Sequence, residues 1–161
     1  MDIRYSANQR DFKHYTTDEI RKEFLIEKLF VPDDATAVYS HVDRIVTMGI
    51  MPVQKAVKLD KNIDCWKNFG VHYFLERREL GIINIGGNGV VTADGTSYSV
   101  GHLCGLYLSM GTKAVEFKAE DPKDPPKFYM CSTPAHRAYP STLIPFEKAI
   151  PRKLGADETS N

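Results

Sequence analysis

Leu80-Gly81-Ile82-Ile83-Asn84-Ile85-Gly86-Gly87-Asn88-Gly89-Val90-Val91-Thr92-Ala93-Asp94-Gly95-Thr96-Ser97-Tyr98-Ser99-Val100 is the stretch that decides the fold class. Its apolar and β-branched runs are four to six residues long, too short for helices, and glycine clusters separate them. Asp94-Gly95 between Val90–Ala93 and Thr96–Val100 is a strong hairpin signal, because both turn residues tolerate a positive φ. The same pattern extends outward. Upstream, Phe24–Val31, Ala37–Val42, Arg44–Met48 and Val71–Glu76 read as strands, and downstream so do Leu106–Leu108, Ala114–Lys118 and Phe128–Ser132. Residues 118–127 are charged and proline-rich, which predicts a surface loop. One helix is expected over residues 17–24, where Thr16 and Glu19 have capping-box spacing and Ile20 and Phe24 follow at helical spacing. Many short strands at intervals of about ten residues predict an all-β sandwich or barrel with a short N-terminal helix and loop-rich ends.

The 161 residues suffice for one domain with its own core. Twenty-one basic and 21 acidic residues cancel. A balanced chain lacks the surplus cations that nucleic-acid binding and anionic membranes reward, so neither partner is expected. No run approaches the roughly 18 apolar residues that span a bilayer, and residues 1–10 lack the apolar core of a signal peptide. Cys65, Cys104 and Cys131 are odd in number and far apart, which fits neither a disulfide framework nor a zinc ribbon. Cytoplasmic residence is the resulting expectation.

Several clusters invite chemistry. Gly86-Gly87-Asn88-Gly89 resembles a phosphate loop, but a strand follows it where a phosphate site needs a helix N-terminus, so a turn is expected. Ser40, His41 and Asp43 hold the letters of a hydrolase triad on one strand, where neighbours point to opposite faces. His102 and Cys104 read as a structural histidine and an inert thiol. His72, Phe74, Glu79 and Gly86 are spaced like one half of a metal-binding strand pair, with phenylalanine where a second histidine belongs. One histidine and one carboxylate hold zinc poorly, so His72 and Glu79 are expected to be vestigial positions and no metal is predicted in this chain. Within Glu76-Arg77-Arg78-Glu79, the arginines suit carboxylate recognition, against a plainer reading as local ion pairs at a strand end.

That spacing resembles the first motif of the cupin superfamily, G-x5-H-x-H-x3-4-E-x6-G, and Ser109-Met110-Gly111 followed by Ala114 resembles a degraded second motif. Longer stretches are more specific. Glu23–Val31, Val38–Arg44, Gly49–Pro52, Tyr73–Gly87, Lys127–Tyr129, Pro134–His136 and Thr159–Asn161 together resemble the 5-keto-4-deoxyuronate isomerases, formally 4-deoxy-L-threo-5-hexosulose-uronate ketol-isomerases. The resemblance runs from about residue 20 to Asn161 and departs from the family at Cys104 and Ser109.

The resemblance implies a cupin-like jelly-roll and an enzyme interconverting 5-dehydro-4-deoxy-D-glucuronate and 3-deoxy-D-glycero-2,5-hexodiulosonate in pectin and uronate degradation. It also implies zinc, a hexameric homo-oligomer, and two barrel halves in one chain. The zinc ligands, three histidines and a glutamate, belong to the C-terminal half. This chain is expected to match the N-terminal half and to be inactive alone, with no catalytic residue of its own. Residues 1–23 are expected as an arm with the short helix, 24–150 as the barrel, and 151–161 as a linker toward a second cupin domain. Arg77, Arg78 and Arg44 are the candidate contacts for the carboxylate of a uronate-derived ketose or aldose. The competing expectation is a non-catalytic cupin that binds a sugar acid or assembles.

Overall fold

The structure, a computed structural model, describes residues 1–150 and Gly155. Eleven strands form two sheets. They are β1 (Asp2–Arg4), β2 (Ala35–Ser40), β3 (Ile45–Ile50), β4 (Val57–Lys58), β5 (Arg78–Asn84), β6 (Gly89–Ala93), β7 (Thr96–Val100), β8 (Gly105–Leu108), β9 (Val115–Ala119), β10 (Phe128–Pro134) and β11 (Thr142–Ile144). Helices α1 (Gln9–Phe12), α2 (Thr17–Phe24) and α3 (Cys65–Phe69) and a 3-10 turn at Phe146–Lys148 complete the described elements.

The pairing is that of a ribbon folded over and rolled up. β3 pairs with β10, β4 with β9, β5 with β8 and β6 with β7, all antiparallel. Two further ladders, β10 to β5 and β9 to β6, gather this ribbon into sheets ordered β1-β2-β3-β10-β5-β8-β11 and β4-β9-β6-β7. That order is the eight-strand jelly roll, flanked on the large sheet by β1, β2 and β11. The sheets face each other as a sandwich and, among the described residues, no ladder closes them into a barrel.

Alternation sets the core. On β5, Arg78, Leu80, Ile82 and Asn84 point inward while Glu79, Gly81 and Ile83 point out. Phe117 of β9 meets Phe128 of β10 across the sandwich, with ring centroids 5.1 Å apart, and each buried ring contributes about 2–3 kcal/mol by transfer from water. The β6–β7 turn has positive φ at Asp94 (46°) and Gly95 (84°), the backbone that a tight hairpin needs.

Helix α2 starts as expected, on a reciprocal cap between Thr16 and Glu19. Two expected strands are absent. Residues 25–31 are not a strand, because the free edge of β2 is taken by β1, which pairs with it in parallel. They cross the large sheet instead, and a Cβ on Gly49 would overlap the Leu29 carbonyl. Residues 71–76 are also irregular. Their buried side chains, Val71, Phe74 and Leu75, do not alternate with period two, so no strand register could bury all three. The short β1, β4, β11, α1 and α3 were not anticipated. β1 places part of the N-terminal arm within the sheet. The tail over 151–161 lies outside the described residues except for Gly155.

Asp33, at φ 56°, fastens the segment before β2 to the turn after β3. Its Oδ1 accepts backbone N–H bonds from Val53, Gln54 and Lys55 at 2.7, 2.8 and 2.9 Å. These bonds, that from Lys55 foremost, hold its pKa below the usual carboxylate value. A depressed carboxylate stabilises the fold above its unfolded pKa, and that contribution is lost as pH falls through the folded one. Asp33→Asn keeps an acceptor and the left-handed backbone. Its stability deficit against the wild type at neutral pH should therefore shrink on acidification, which thermal unfolding across pH 2–7 measures. A constant deficit would show that the charge is not what the three amides hold.

Candidate functional site

The sandwich has two ends, and polar side chains are buried at both. At one end β5 begins with Arg78, β10 finishes, and the β2–β3 turn crosses above them. Arg78 is 6% exposed. Its Nε donates to Ser132 Oγ at 3.1 Å, and its Nη2 donates to the carbonyls of Ser132 and Arg44, each at 2.7 Å. The guanidinium stands 5.3 Å from the Phe69 ring centroid and 5.9 Å from that of Phe74. Burial pushes its pKa down to about 10, Arg44 works in the same direction, and Tyr39 opposes them.

No carboxylate pairs with this cation. The side-chain ion pairs among the described residues are Arg4–Asp2, Arg21–Glu27 and Lys61–Asp34, all elsewhere. Buried charges are normally paired, whereas this guanidinium is bonded to neutral oxygens only. Tyr39, Phe69 and Phe74 form an edge-to-face aromatic chain beside it, at 5.6 and 5.8 Å.

The sequence candidates separate in space. Arg44, at φ 56° in the β2–β3 turn, meets Arg78 through its carbonyl while its own side chain is exposed. Arg77 is exposed, and its carbonyl accepts from Ala135. His72 is exposed in the irregular segment, its ring stacked 5.7 Å from Trp66. Glu79 lies on the outer face of the large sheet, where its carboxylate accepts from Tyr107 Oη at 2.8 Å and from Thr133 Oγ1 at 3.5 Å. His72 and Glu79 therefore do not share the strand face that their spacing predicted, because residue 72 is not in a strand. Among the described residues no three His, Cys, Asp or Glu side chains gather as metal donors, and these residues do not fit a zinc ion.

The remaining clusters have structural partners. His41 stacks on Tyr5 at 4.3 Å and meets Tyr39 edge-on, while Ser40 Oγ accepts from the Val42 amide. Gly86 and Gly87 admit the 124–127 loop: a Cβ on Gly86 would lie 2.5 Å from the Lys127 nitrogen, and one on Gly87 would overlap the Asp124 carbonyl. His102 Nδ1 lies 2.9 Å from the Gly86 carbonyl. Cys65 is buried, and burial, with Asp60 and Asp64 adding to it, raises its thiol pKa to about 11. Thiolate is the reactive form. Titration with Ellman's reagent at about pH 8 is expected to label the half-buried Cys104 and Cys131 and to spare Cys65 until the chain is denatured.

Sequence reasoning missed Phe69 and Ser132. Asp64 and Gly70 were the available signals for α3, which carries Phe69: an N-cap whose side chain accepts from Lys67, and a C-cap at φ 65°. Ser132 had no local signal, since only the β5–β10 register sets it against Arg78.

Strand order and buried site define the class: a jelly roll of the type cupins share, with an unpaired cation at one end. Over all 161 residues the chain is 48% identical to the 4-deoxy-L-threo-5-hexosulose-uronate ketol-isomerase of Yersinia pestis (strain Pestoides F), and equally to that of Yersinia pseudotuberculosis serotype O:1b. It is thus similar along its whole length to the isomerases that its sequence resembles. It spans 57% of the length of these relatives. No family model matches. Solved structures with a similar course include a putative glyoxylate-induced protein from Pseudomonas aeruginosa (8% identity, TM-score 0.47, 71% of this chain and 38% of that one). Another is an RmlC-like cupin from Desulfovibrio desulfuricans (17% identity, TM-score 0.42, 63% of this chain and 81% of that one). No described helix is long and apolar enough to cross a membrane.

Proposed function

We propose that this chain is the metal-free, N-terminal half of a cytoplasmic 4-deoxy-L-threo-5-hexosulose-uronate ketol-isomerase, acting with a second cupin half in a homo-oligomer. The observation that carries the reading is the 48% identity across all 161 residues. The substrate is then 5-dehydro-4-deoxy-D-glucuronate, converted to 3-deoxy-D-glycero-2,5-hexodiulosonate. Such an isomerisation moves a proton between carbons flanking a carbonyl and needs a base and an electrophile for the developing enediolate. On this reading the zinc is held by the other half, in keeping with the lack of a three-donor cluster among the described residues. What this half contributes is charge and shape. Arg78, carrying no carboxylate, favours an anion at its end of the sandwich, and Arg44 adds an exposed cation beside it.

The outer face of the large sheet supports the assembly part of the reading. A groove of about 560 Å³ there is lined by Ile83, Tyr107, Tyr129, Ile144 and Phe146, an apolar surface suited to cover by protein. Light scattering of the isolated chain should accordingly show oligomers.

The test is complementation. The chain and the remainder of a Yersinia relative are expressed together, and isomerisation is followed with each alone and with both. Turnover only with both supports the proposal. Turnover by the 161-residue chain alone overturns the assignment of chemistry to the other half. A stable complex without turnover, or a well-behaved lone domain, favours the non-catalytic binding or assembly cupin.

A further inference from the structure

Among the described residues the two sheets end in four edge strands, and one of them is unlike the others. β1 and β11 have three residues each and β4 has two, too few to template a neighbour. β7 has five, Thr96–Val100, and runs in unbroken register against β6. Exposed edges are normally blunted by charge, proline or a bulge. Thr96-Ser97-Tyr98-Ser99-Val100 carries none of these.

The ladder sets the direction of its free hydrogen-bonding groups. The even-numbered residues of β6 and its flanks bond toward β9: the Asp94 amide donates to the Ala114 carbonyl at 2.9 Å, and the Glu120 amide to that of Asn88 at 3.2 Å. Antiparallel pairs alternate, so Gly89, Val91 and Ala93 bond the other way, to Val100, Tyr98 and Thr96. The two-residue turn at Asp94-Gly95 closes on the last of these pairs. Ser97 and Ser99 are left with N–H and C=O directed out of the sheet's edge, and both residues are exposed.

That pattern is self-complementary. An antiparallel copy of β7, placed about a two-fold axis at Tyr98, sets Ser97 opposite Ser99 of the second copy and Ser99 opposite its Ser97. Both become hydrogen-bonded pairs, so about four N–H···O=C bonds close across the axis. Tyr98, half-buried on the core side opposite Val91, meets its own copy in a non-hydrogen-bonded pair, where side chains approach most closely. No like charges face each other, since the strand has none, and Gly95 and Gly101 at its ends put no side chain in the way. With no charge on the edge to select a foreign peptide, the palindrome Ser97-Tyr98-Ser99 favours a copy of itself.

We propose that β7 is an interface between two copies of this chain, joining their four-stranded sheets edge to edge into one continuous sheet. The inference rests on the homo-oligomer of the reading above and gives it a surface, distinct from the groove on the large sheet. A single strand pair falls short of the roughly 1,000 Å² of a stable interface. The pairing is therefore weak by itself, with a Kd on the order of 10⁻⁴ M, and acts by adding to the other contacts of an assembly.

The test is amide hydrogen exchange and sedimentation equilibrium on the full 161-residue chain. Exchange at Ser97 and Ser99 should slow as the concentration rises through about 10⁻⁴ M. Two double variants then check the register, Ser97→Lys/Ser99→Lys and Ser97→Glu/Ser99→Lys. The first sets like charges opposite each other at both pairs and should weaken the dimer at least about fivefold. The second sets opposite charges there and should associate at least as tightly as the wild type. Both positions are exposed, so the variants should fold, which their amide spectra verify. Exchange at the two amides that is independent of concentration, or equal affinity in the two variants, would overturn the assignment. Association through the groove alone gives the first of these results and leaves the proposed function standing. Failed complementation leaves the exchange result unaffected, so the two proposals fail separately.

Discussion

Replacing Asn84 by alanine is expected to lower the unfolding free energy by about 3–4 kcal/mol, a large share of the 5–15 kcal/mol that holds a domain together. Asn84 is 0% exposed and uses its whole side-chain capacity. Its Nδ2 donates to the Gly87 and Val100 carbonyls, both at 2.7 Å, and its Oδ1 accepts from the Gly86 and Lys127 amides, both at 3.1 Å. One side chain thus joins the β5–β6 turn, the end of β7 and the loop before β10. Alanine would leave four backbone groups without their partner, each worth about 1–3 kcal/mol where water cannot reach. For a chain of this size the midpoint should fall by about 10 °C. Asn84→Asp separates this network from simple volume loss. Its carboxylate would face two carbonyl oxygens, so it should destabilise more than alanine at neutral pH and recover partly on acidification. A midpoint shift below about 3 °C for both variants would show that the network contributes little.

The second large effect is expected at Arg78, and it runs the other way for stability. Arg78→Met keeps much of the volume against Phe69 and Phe74 and removes a buried cation that has no carboxylate. Removing the cation recovers its desolvation cost, which offsets the donor lost at the Ser132 hydroxyl and at the Ser132 and Arg44 carbonyls. The midpoint should therefore stay within about 3 °C of the wild type or rise. In the complemented enzyme the same variant should lose at least about tenfold in kcat/KM if Arg78 provides field for a uronate carboxylate. The pH dependence has a defined sign. Burial holds the folded pKa at about 10, below its ordinary value, so the folded state is penalised wherever both states are protonated. That penalty is relieved as pH rises above about 10, and any advantage of Arg78→Met should narrow there. A drop of more than about 10 °C with activity retained would make Arg78 a pin for the β2–β3 turn and nothing more.

Local signals read well where local physics decides. Asp94-Gly95 set the β6–β7 hairpin because few residues accept two positive φ angles in succession, and Thr16 with Glu19 set the start of α2 through two hydrogen bonds within four residues. The failures share a cause. Phe24–Val31 and Val71–Glu76 have β-rich composition, but a strand needs a free edge and a face, and neither property is local. The paired reading of His72 and Glu79 failed with the second of these, since it required residue 72 in a strand. Arg78 was legible as a residue suited to carboxylates, though not as buried or unpaired.

The sequence by itself determined the all-β class, the principal hairpin, the capped helix and the resemblance to the ketol-isomerases, because hydrophobic period, turn chemistry and matching motifs are written residue by residue. Tertiary structure alone decided the rest. It placed Ser132 and the Arg44 carbonyl on Arg78 across 54 and 34 residues of chain. The physical reason is the rolled ribbon. Its ladders join strands distant in sequence, and their register sets which side chains meet at one end of the sandwich and which of those charges is left without a partner.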